Sequence, residues 1–271
     1  MVTAHCWVIP MGMDKPKHTT ITTPLAMGTA PIADTTMGMN MATTMGIEAS
    51  SWISLIWLAS PALPVGGFSY SEGLESAIEH GRVYDEKSCE ALLLGQMRLT
   101  QARGDWAVVA QAIEAWRSGD VSRLHALAHW LDATRESAEI RLQSEQMGRS
   151  MQDWLRNLGQ IEAAQLDLLT RLPPHYALAQ ALALSRVNVP IEQALQALAF
   201  GWAENMVQAA VKSIPLGQHA GQRVLSALVD GIPAAVLIAL HLSDSDRQCF
   251  SPMWAILSSR HETQYSRLFR S

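Results

Sequence analysis

Cysteine is scarce in this chain: three residues in 271, Cys6, Cys89 and Cys249, odd in number and far apart. That spacing excludes a disulfide framework and every CxxC-based zinc site, and it leaves reduced thiols. Charge is scarce as well, at 17% of residues against a typical ~25%, with a net charge of -5. An acidic balance without clustered Lys and Arg gives no electrostatic footing for DNA or RNA, so no nucleic-acid partner is expected. A sparsely charged surface is instead one that partner proteins can cover. The longest apolar run, residues 232–240, stops at His241 and is far short of the ~20 residues that span a bilayer. The chain opens with no basic region followed by an apolar stretch and a small-residue cleavage site. No membrane span and no secretory leader are therefore expected, and the cytoplasm is the expected compartment.

The common catalytic constellations are missing too. No Gly-Lys pair exists, which excludes a standard phosphate-binding loop, and His261-Glu262 lacks a His at position 265, which excludes an HExxH zinc site. The run GFSYSEG is not GxSxG and follows no strand pattern, so it is no hydrolase nucleophile elbow. His125 and His129 lie four apart on one helix face and could supply two imidazole ligands. With no third or fourth ligand nearby, they read more simply as residues at the edge of a core. His5, Cys6, His18 and the methionines around them could take a soft metal such as Cu(I), although a disordered tract would bear the full ordering cost on binding.

What is present is a helical protein with an unusual beginning. Residues 1–50 hold eight of the thirteen Met (1, 11, 13, 27, 37, 39, 41 and 45), mixed with Thr, Gly and Pro. Nothing there is periodic, and the stretch reads as a disordered extension, with Met45 as an alternative start. Residues 51–271 read as one all-α domain, because apolar residues recur at helical spacing and no period-two alternation is sustained. The spacing predicts about nine or ten helices, among them 83–100, 105–117, 121–133, 136–158 and 175–187. Pro190 opens another, along which Ile191, Leu195, Leu198, Trp202 and Met206 form a core stripe. The last are 217–229 and 232–242, parted by Asp230-Gly231, and a short 252–259.

Four segments stand out within this domain. The first is LASPALPVGGFSYSEGLE at 58–75, where Pro61, Pro64, Gly66 and Gly67 force a bend, Ser69 or Ser71 caps the next helix, and Phe68 and Tyr70 sit outside. Glu72 there begins the helix with a favourable negative charge. The second is ATRESAEIRLQSEQMGRSM at 133–151, whose Arg135, Glu136, Glu139, Arg141 and Glu145 alternate in charge three and four apart, as on a solvated face. The third is AENMVQAAVKSIPLGQHAGQRVL at 203–225. In it Lys212 caps a helix end, and PLGQHAGQR offers Gln218, Gln222 and Arg223 as donors around exposed backbone. The fourth is the terminal HETQYSRLFRS at 261–271, either free or captured by a partner through its Tyr and Arg residues.

In this order the four segments resemble the urease accessory protein UreF family over residues 52–271. The resemblance implies an all-α, non-enzymatic member of the complex that loads nickel into apo-urease. Such a protein dimerises, binds the accessory protein UreD (also UreH), and through it recruits the GTPase UreG. It binds no cofactor itself, nickel and GTP being handled by the complex, and it modulates GTP hydrolysis. Carried over to this chain, Lys212, Ser213, Ile214, Pro215, Leu216, Gly217, Gln218, Gln222 and Arg223 would face the GTPase. Phe68, Ser69, Tyr70 and Glu72 would serve the UreD/UreH contact or the dimer, and Tyr265, Arg267, Leu268, Phe269, Arg270 and Ser271 would pack into UreD/UreH. Two rival classes are a helical scaffold for another metalloenzyme and a soft-metal-binding chaperone using the Met tract.

Overall fold

A computed structural model describes residues 49–270 of the chain. The readings made for residues 1–48 and for Ser271 lie outside the described residues. Within them the protein is all-α, with eleven α-helices and no strand. Helix α1 (Ala49–Ala59) leads through the bend to α2 (Leu74–Glu79); α3 (Glu86–Gln96), α4 (Asp105–Ser118), α5 (Val121–Thr134) and α6 (Ala138–Leu158) follow. Then come α7 (Ala163–Arg171), α8 (Tyr176–Ser185), α9 (Ile191–Ser213), α10 (Gln218–His241) and α11 (Pro252–His261).

Helix α8 is the innermost. Eight consecutive residues from Ala177 to Leu184 are buried, as expected for a helix that is apolar all round. It packs on α4 and α6 and touches α1. Each fully buried Leu here, such as Leu178 and Leu182, contributes roughly 1.5–3 kcal/mol relative to exposure. Its one polar core side chain, Gln180, donates to the Leu58 carbonyl at the end of α1 (3.3 Å). Ahead of α8, buried His175 places Nε2 2.8 Å from Asp132 Oδ1 and Nδ1 3.2 Å from Ser144 Oγ. Burial, and then the Arg135 charge, hold its imidazole below the ordinary histidine value against the pull of Asp132.

The second packed unit is the pair α9 and α10, which also meets α1, α2, α3 and α4. Along α9, Leu195 and Met206 are fully buried, whereas Ile191, Leu198 and Trp202 are half-buried, the inner face being completed by Ala194, Ala199, Ala203 and Ala210. Helix α10 corrects the expectation of two helices parted at Asp230-Gly231. It runs unbroken for 24 residues with Pro233 inside it. Gly231 is there for closeness: a Cβ would come within 2.7 Å of Met97 Cε and 3.2 Å of Leu94 Cδ2, so its absence lets α10 lie against α3. Joined in this way, α10 is long and apolar enough to cross a membrane by length and composition. A third of that apolar window is buried: Val224, Leu228, Ile232, Val236 and Ala239 face the bundle.

Two further boundaries differ from expectation. The helix expected at 83–100 starts at Glu86, because Asp85 and Ser88 form a reciprocal capping box (Ser88 N to Asp85 Oδ1 2.8 Å, Asp85 N to Ser88 Oγ 3.1 Å). It then passes into a π-turn, Met97–Gln101, where Thr100 Oγ1 donates to the Gln96 carbonyl (2.7 Å) and Ala102 N reaches back five residues to Met97 (2.9 Å). Helix α7 had no counterpart in the sequence reading; Leu169 is its single buried residue, so its stripe is faint.

Candidate docking site

The bend at 58–75 is built from a 3-10 turn, Gly67–Ser69, and a left-handed step at Gly73 (φ 84°) that starts α2. Ser71 Oγ accepts the Glu75 amide at 3.4 Å, but the N-cap of α2 is Gly73 and no side chain caps it, so the expected cap at Ser69 or Ser71 and the helix start at Glu72 give way to a start at Leu74. Phe68 stands outside, 58% exposed, but Tyr70 does not. Its ring is buried and its hydroxyl donates to Gln146 Oε1 on α6 at 2.6 Å, which corrects the expected outward placement.

Glu72 is also turned inward. With φ 51° it is the one non-glycine residue of positive φ among the described residues. Its carboxylate accepts from Gln96 Nε2 (2.7 Å), Gln101 Nε2 (3.1 Å), Trp202 Nε1 (3.1 Å) and Gln143 Nε2 (3.2 Å). In a regular α-helix two positions five apart are about 140° out of line. The π-turn brings Gln96 and Gln101 back to one side, and that is what lets both reach Glu72. Burial pushes the carboxyl up from its ordinary value, and the Trp202 and Gln143 donors oppose this. Half-buried Glu72 also lines a cavity of about 190 Å³ with Asp105, Arg135, Trp106, Trp202 and Cys249.

The alternating charges of 133–151 are likewise split between inside and outside. The Arg135 side chain is 6% exposed and pairs with Asp105 (Nη2 to Oδ1 2.9 Å), and buried Glu139 faces His261. Glu136 and Arg141 are exposed, and Glu145 pairs along its own helix with Arg149 (2.8 Å). The expected solvated face is thus half interior, its buried members balanced by partners from other helices.

The C-terminal segment is seated on the domain. His261 closes α11 and is fully buried, with Nδ1 2.9 and 3.0 Å from the Glu139 oxygens and Nε2 3.2 Å from Glu75 Oε2. Glu75 also accepts the amides of Leu268 (2.7 Å) and Phe269 (3.0 Å), and Arg267 Nη1 lies 3.3 Å from Glu139. Phe269 is buried under Lys212, whose Nζ stands 6.0 Å from the ring centroid. Arg270 N donates to the Ser69 carbonyl at 2.8 Å. Tyr265, Arg267, Leu268 and Arg270 keep exposed side chains.

The four segments therefore meet in space. Tyr70–Gln146 joins the first to the second, Asn205 Nδ2 to the Gly67 carbonyl (3.1 Å) joins the first to the third, and Lys212–Phe269 joins the third to the fourth. A surface groove between α6 and the tail is lined by Tyr70, Glu139, Leu142, Gln146, Arg267 and Phe269. Beyond Lys212, Ile214 is buried, Ser213 and Leu216 are half-buried, and Pro215, Gly217, Gln218, Gln222 and Arg223 are exposed. Arg223 forks onto Glu86 of α3 (2.8 and 2.6 Å), which ties the start of α10 down. The sequence reading missed the Glu75–His261–Glu139 cluster and the donors around Glu72. The only signal for Glu75 was its position between Leu74 and Ala77 in a short helix.

The Cys249 thiol is pushed up to about 12 and Cys89 to about 11, chiefly by burial, so neither is poised as a thiolate. His125 and His129 are exposed on α5, and among the described residues no group of three His, Cys, Asp or Glu is placed to hold a metal ion.

Fold and site define an all-helical protein with a compound surface in which a bend, a helix end and a seated tail adjoin. A family model described as UreF matches residues 83–229. The chain is 59% identical over 229 residues to the urease accessory protein UreF of Paracidovorax citrulli, covering 83% of this chain and 91% of that protein. It is 58% identical over 225 residues to the protein of the same name in Methylibium petroleiphilum, covering 82% and 95%. A bifunctional urease accessory protein UreEF of Bordetella bronchiseptica is 41% identical over 261 residues, covering 94% of this chain and 60% of that protein. The chain belongs to the UreF family.

Proposed function

We propose that this protein is a urease accessory factor that acts by docking, without catalysis of its own, in the insertion of nickel into apo-urease. It bridges UreD/UreH and the GTPase UreG on apo-urease, as a homodimer in the cytoplasm, and modulates the partner's GTP hydrolysis. Nickel and GTP are handled by the complex. The observation that carries this reading is the contact of Lys212 with Phe269, because it makes the α9–α10 turn and the C-terminal tail one continuous surface. A partner held on the tail is thereby held next to a partner on the turn, and tethering of this kind raises the effective concentration of each for the other. The apolar outer side of α1, with Trp52, Ile53, Ile56 and Trp57 exposed, supports an assembled rather than solitary state.

Within this surface the exposed side chains make the contacts and the buried ones set their positions. Phe68, Tyr265 and Leu268 are the outward apolar groups for UreD/UreH; Phe269, Tyr70 and Glu72 hold the segments that carry them. Lys212, Pro215, Gln218 and Gln222 are the groups offered to the GTPase. The test is size-exclusion chromatography with light scattering. Tyr265→Ala combined with Leu268→Ala is expected to weaken UreD/UreH binding by about tenfold or more while leaving the helical spectrum unchanged. Lys212→Ala is expected to keep that contact and weaken recruitment of UreG. Unchanged complexes for both variants would remove the tail and the turn from the docking surface.

A further inference from the structure

We propose that the interior cavity beside Glu72 is a binding site for a small neutral aromatic amide, a class of ligand that presents a carbonyl acceptor, N–H donors and a flat apolar body. The cavity measures about 190 Å³, and its wall draws on the bend and on α3, α4, α6, α8 and α9. Four of its lining side chains carry polar atoms that the fold leaves unmatched. The amide nitrogens of Gln96 and Gln180 are committed, to Glu72 (2.7 Å) and to the Leu58 carbonyl (3.3 Å), and each Oε1 is buried with no hydrogen-bond donor among the described residues. Arg135 gives Nη1 and Nη2 to Asp105 (3.3 and 2.9 Å), and its buried Nε has no acceptor there. The Tyr176 hydroxyl makes no hydrogen bond to a described residue either, and burial pushes it up from the ordinary tyrosine value, so it stays a donor. Polar atoms left unmatched inside a protein are costly. An amide serves both kinds at once, its carbonyl accepting from Arg135 Nε or the Tyr176 hydroxyl and its N–H groups donating to the glutamine oxygens.

Water alone matches the rest of the wall poorly. At about 10–15 Å³ each, on the order of ten or more molecules would fill this volume, each calling for two to four polar partners. Much of the wall is instead apolar, with Leu58, Val109 and Met147 in it, and Trp106 and Trp202 line it edge to face, 5.9 Å between ring centroids. Aromatic rings pack well against one another in that arrangement or offset. Charge then selects a neutral ligand. An anion would meet Glu72 and Asp105, whereas a cation would lie beside Arg135 and find both carboxylates engaged, Glu72 by four N–H groups and Asp105 by the guanidinium. Asn205 and Gly67, joined by the 3.1 Å hydrogen bond across the bend, also belong to the wall, so occupancy braces the segment that presents Phe68. That consequence for docking rests on the function proposed above; the binding itself does not.

Isothermal titration calorimetry on the full-length chain alone, with benzamide as the probe, tests the site. The expected result is saturable binding at one site per chain with a Kd of about 1 mM or tighter. Benzoate and benzylamine, which keep the ring but carry a charge, are expected to bind about tenfold more weakly or worse. Tyr176→Phe removes a hydroxyl that no described residue uses, so it is expected to keep the helical spectrum and to weaken benzamide about fivefold or more. Val109→Phe adds bulk to the cavity wall and is expected to abolish binding in a chain that is still helical. No saturable binding up to about 10 mM benzamide, equal affinity for benzoate or benzylamine, or a Tyr176→Phe chain that binds as the wild type does would overturn the proposal and leave a cavity that holds solvent only. Binding as expected that leaves UreD/UreH association unchanged at saturating benzamide would keep the site and sever it from the docking role.

Discussion

Glu72 illustrates how a single residue can organise a surface without belonging to it. It accepts four N–H groups drawn from α3, its π-turn, α6 and α9, and so fixes the bend that presents Phe68. Removing the carboxylate leaves four part-buried donors without this acceptor, and Glu72→Ala is expected to lower the free energy of unfolding by roughly 2–4 kcal/mol, with Glu72→Gln costing about half as much. Urea titration measures both; a Glu72→Ala protein as stable as the wild type would mean that water replaces the carboxylate at no cost. The partners of Glu72 lie 24 to 130 residues away in sequence, which is why the local sequence showed only a charge at the start of a helix and not its inward placement. Tyr70, Arg135 and Glu139 were misplaced for the same reason. Each is a polar or charged group whose burial is balanced by a residue remote in the chain. Phe68, Lys212, Gln222 and Arg223 of the same motifs are exposed.

Among the helices, those bounded by caps and broken by glycine were legible: α4 between Gly104 and Gly119, α5 behind Asp120, and α9 behind Pro190. Helix α10 was not, because Gly231 and Pro233 read locally as a break. In the fold Gly231 serves the approach to α3, and packing against α9, α3 and α4 offsets the hydrogen bond that Pro233 cannot make. The π-turn after α3 carries no sequence signature beyond Thr100, and it decides where Gln101 points. Close approach is again the issue at Gly148 of α6, where a Cβ would lie 1.9 Å from the Pro174 carbonyl oxygen. Alanine is the better helix former by about 1 kcal/mol, yet Gly148→Ala is expected to destabilise by about 3 kcal/mol or more, since backbone and not a flexible side chain is in the way. Denaturant midpoints decide the sign, and a stabilised variant would mean that the loop before α8 yields freely.

The described residues form a helical bundle around α8 in which the four segments, separated by long stretches of chain, close onto one another. The all-α class and the segments themselves could be read from the sequence; their convergence could not, because contacts such as Ser69 with Arg270 span nearly the entire domain. That convergence turns four short motifs into one surface and gives the family relationship a physical meaning in this chain. The most direct test is urease activity after apo-urease, nickel, GTP, UreD/UreH and UreG are mixed with this chain, without it, and with the chain lacking residues 264–271. The account predicts activation with the full chain and none without it, and loss of activation when the tail is removed although the remaining chain is folded. Equal activation in the absence of the chain would contradict it.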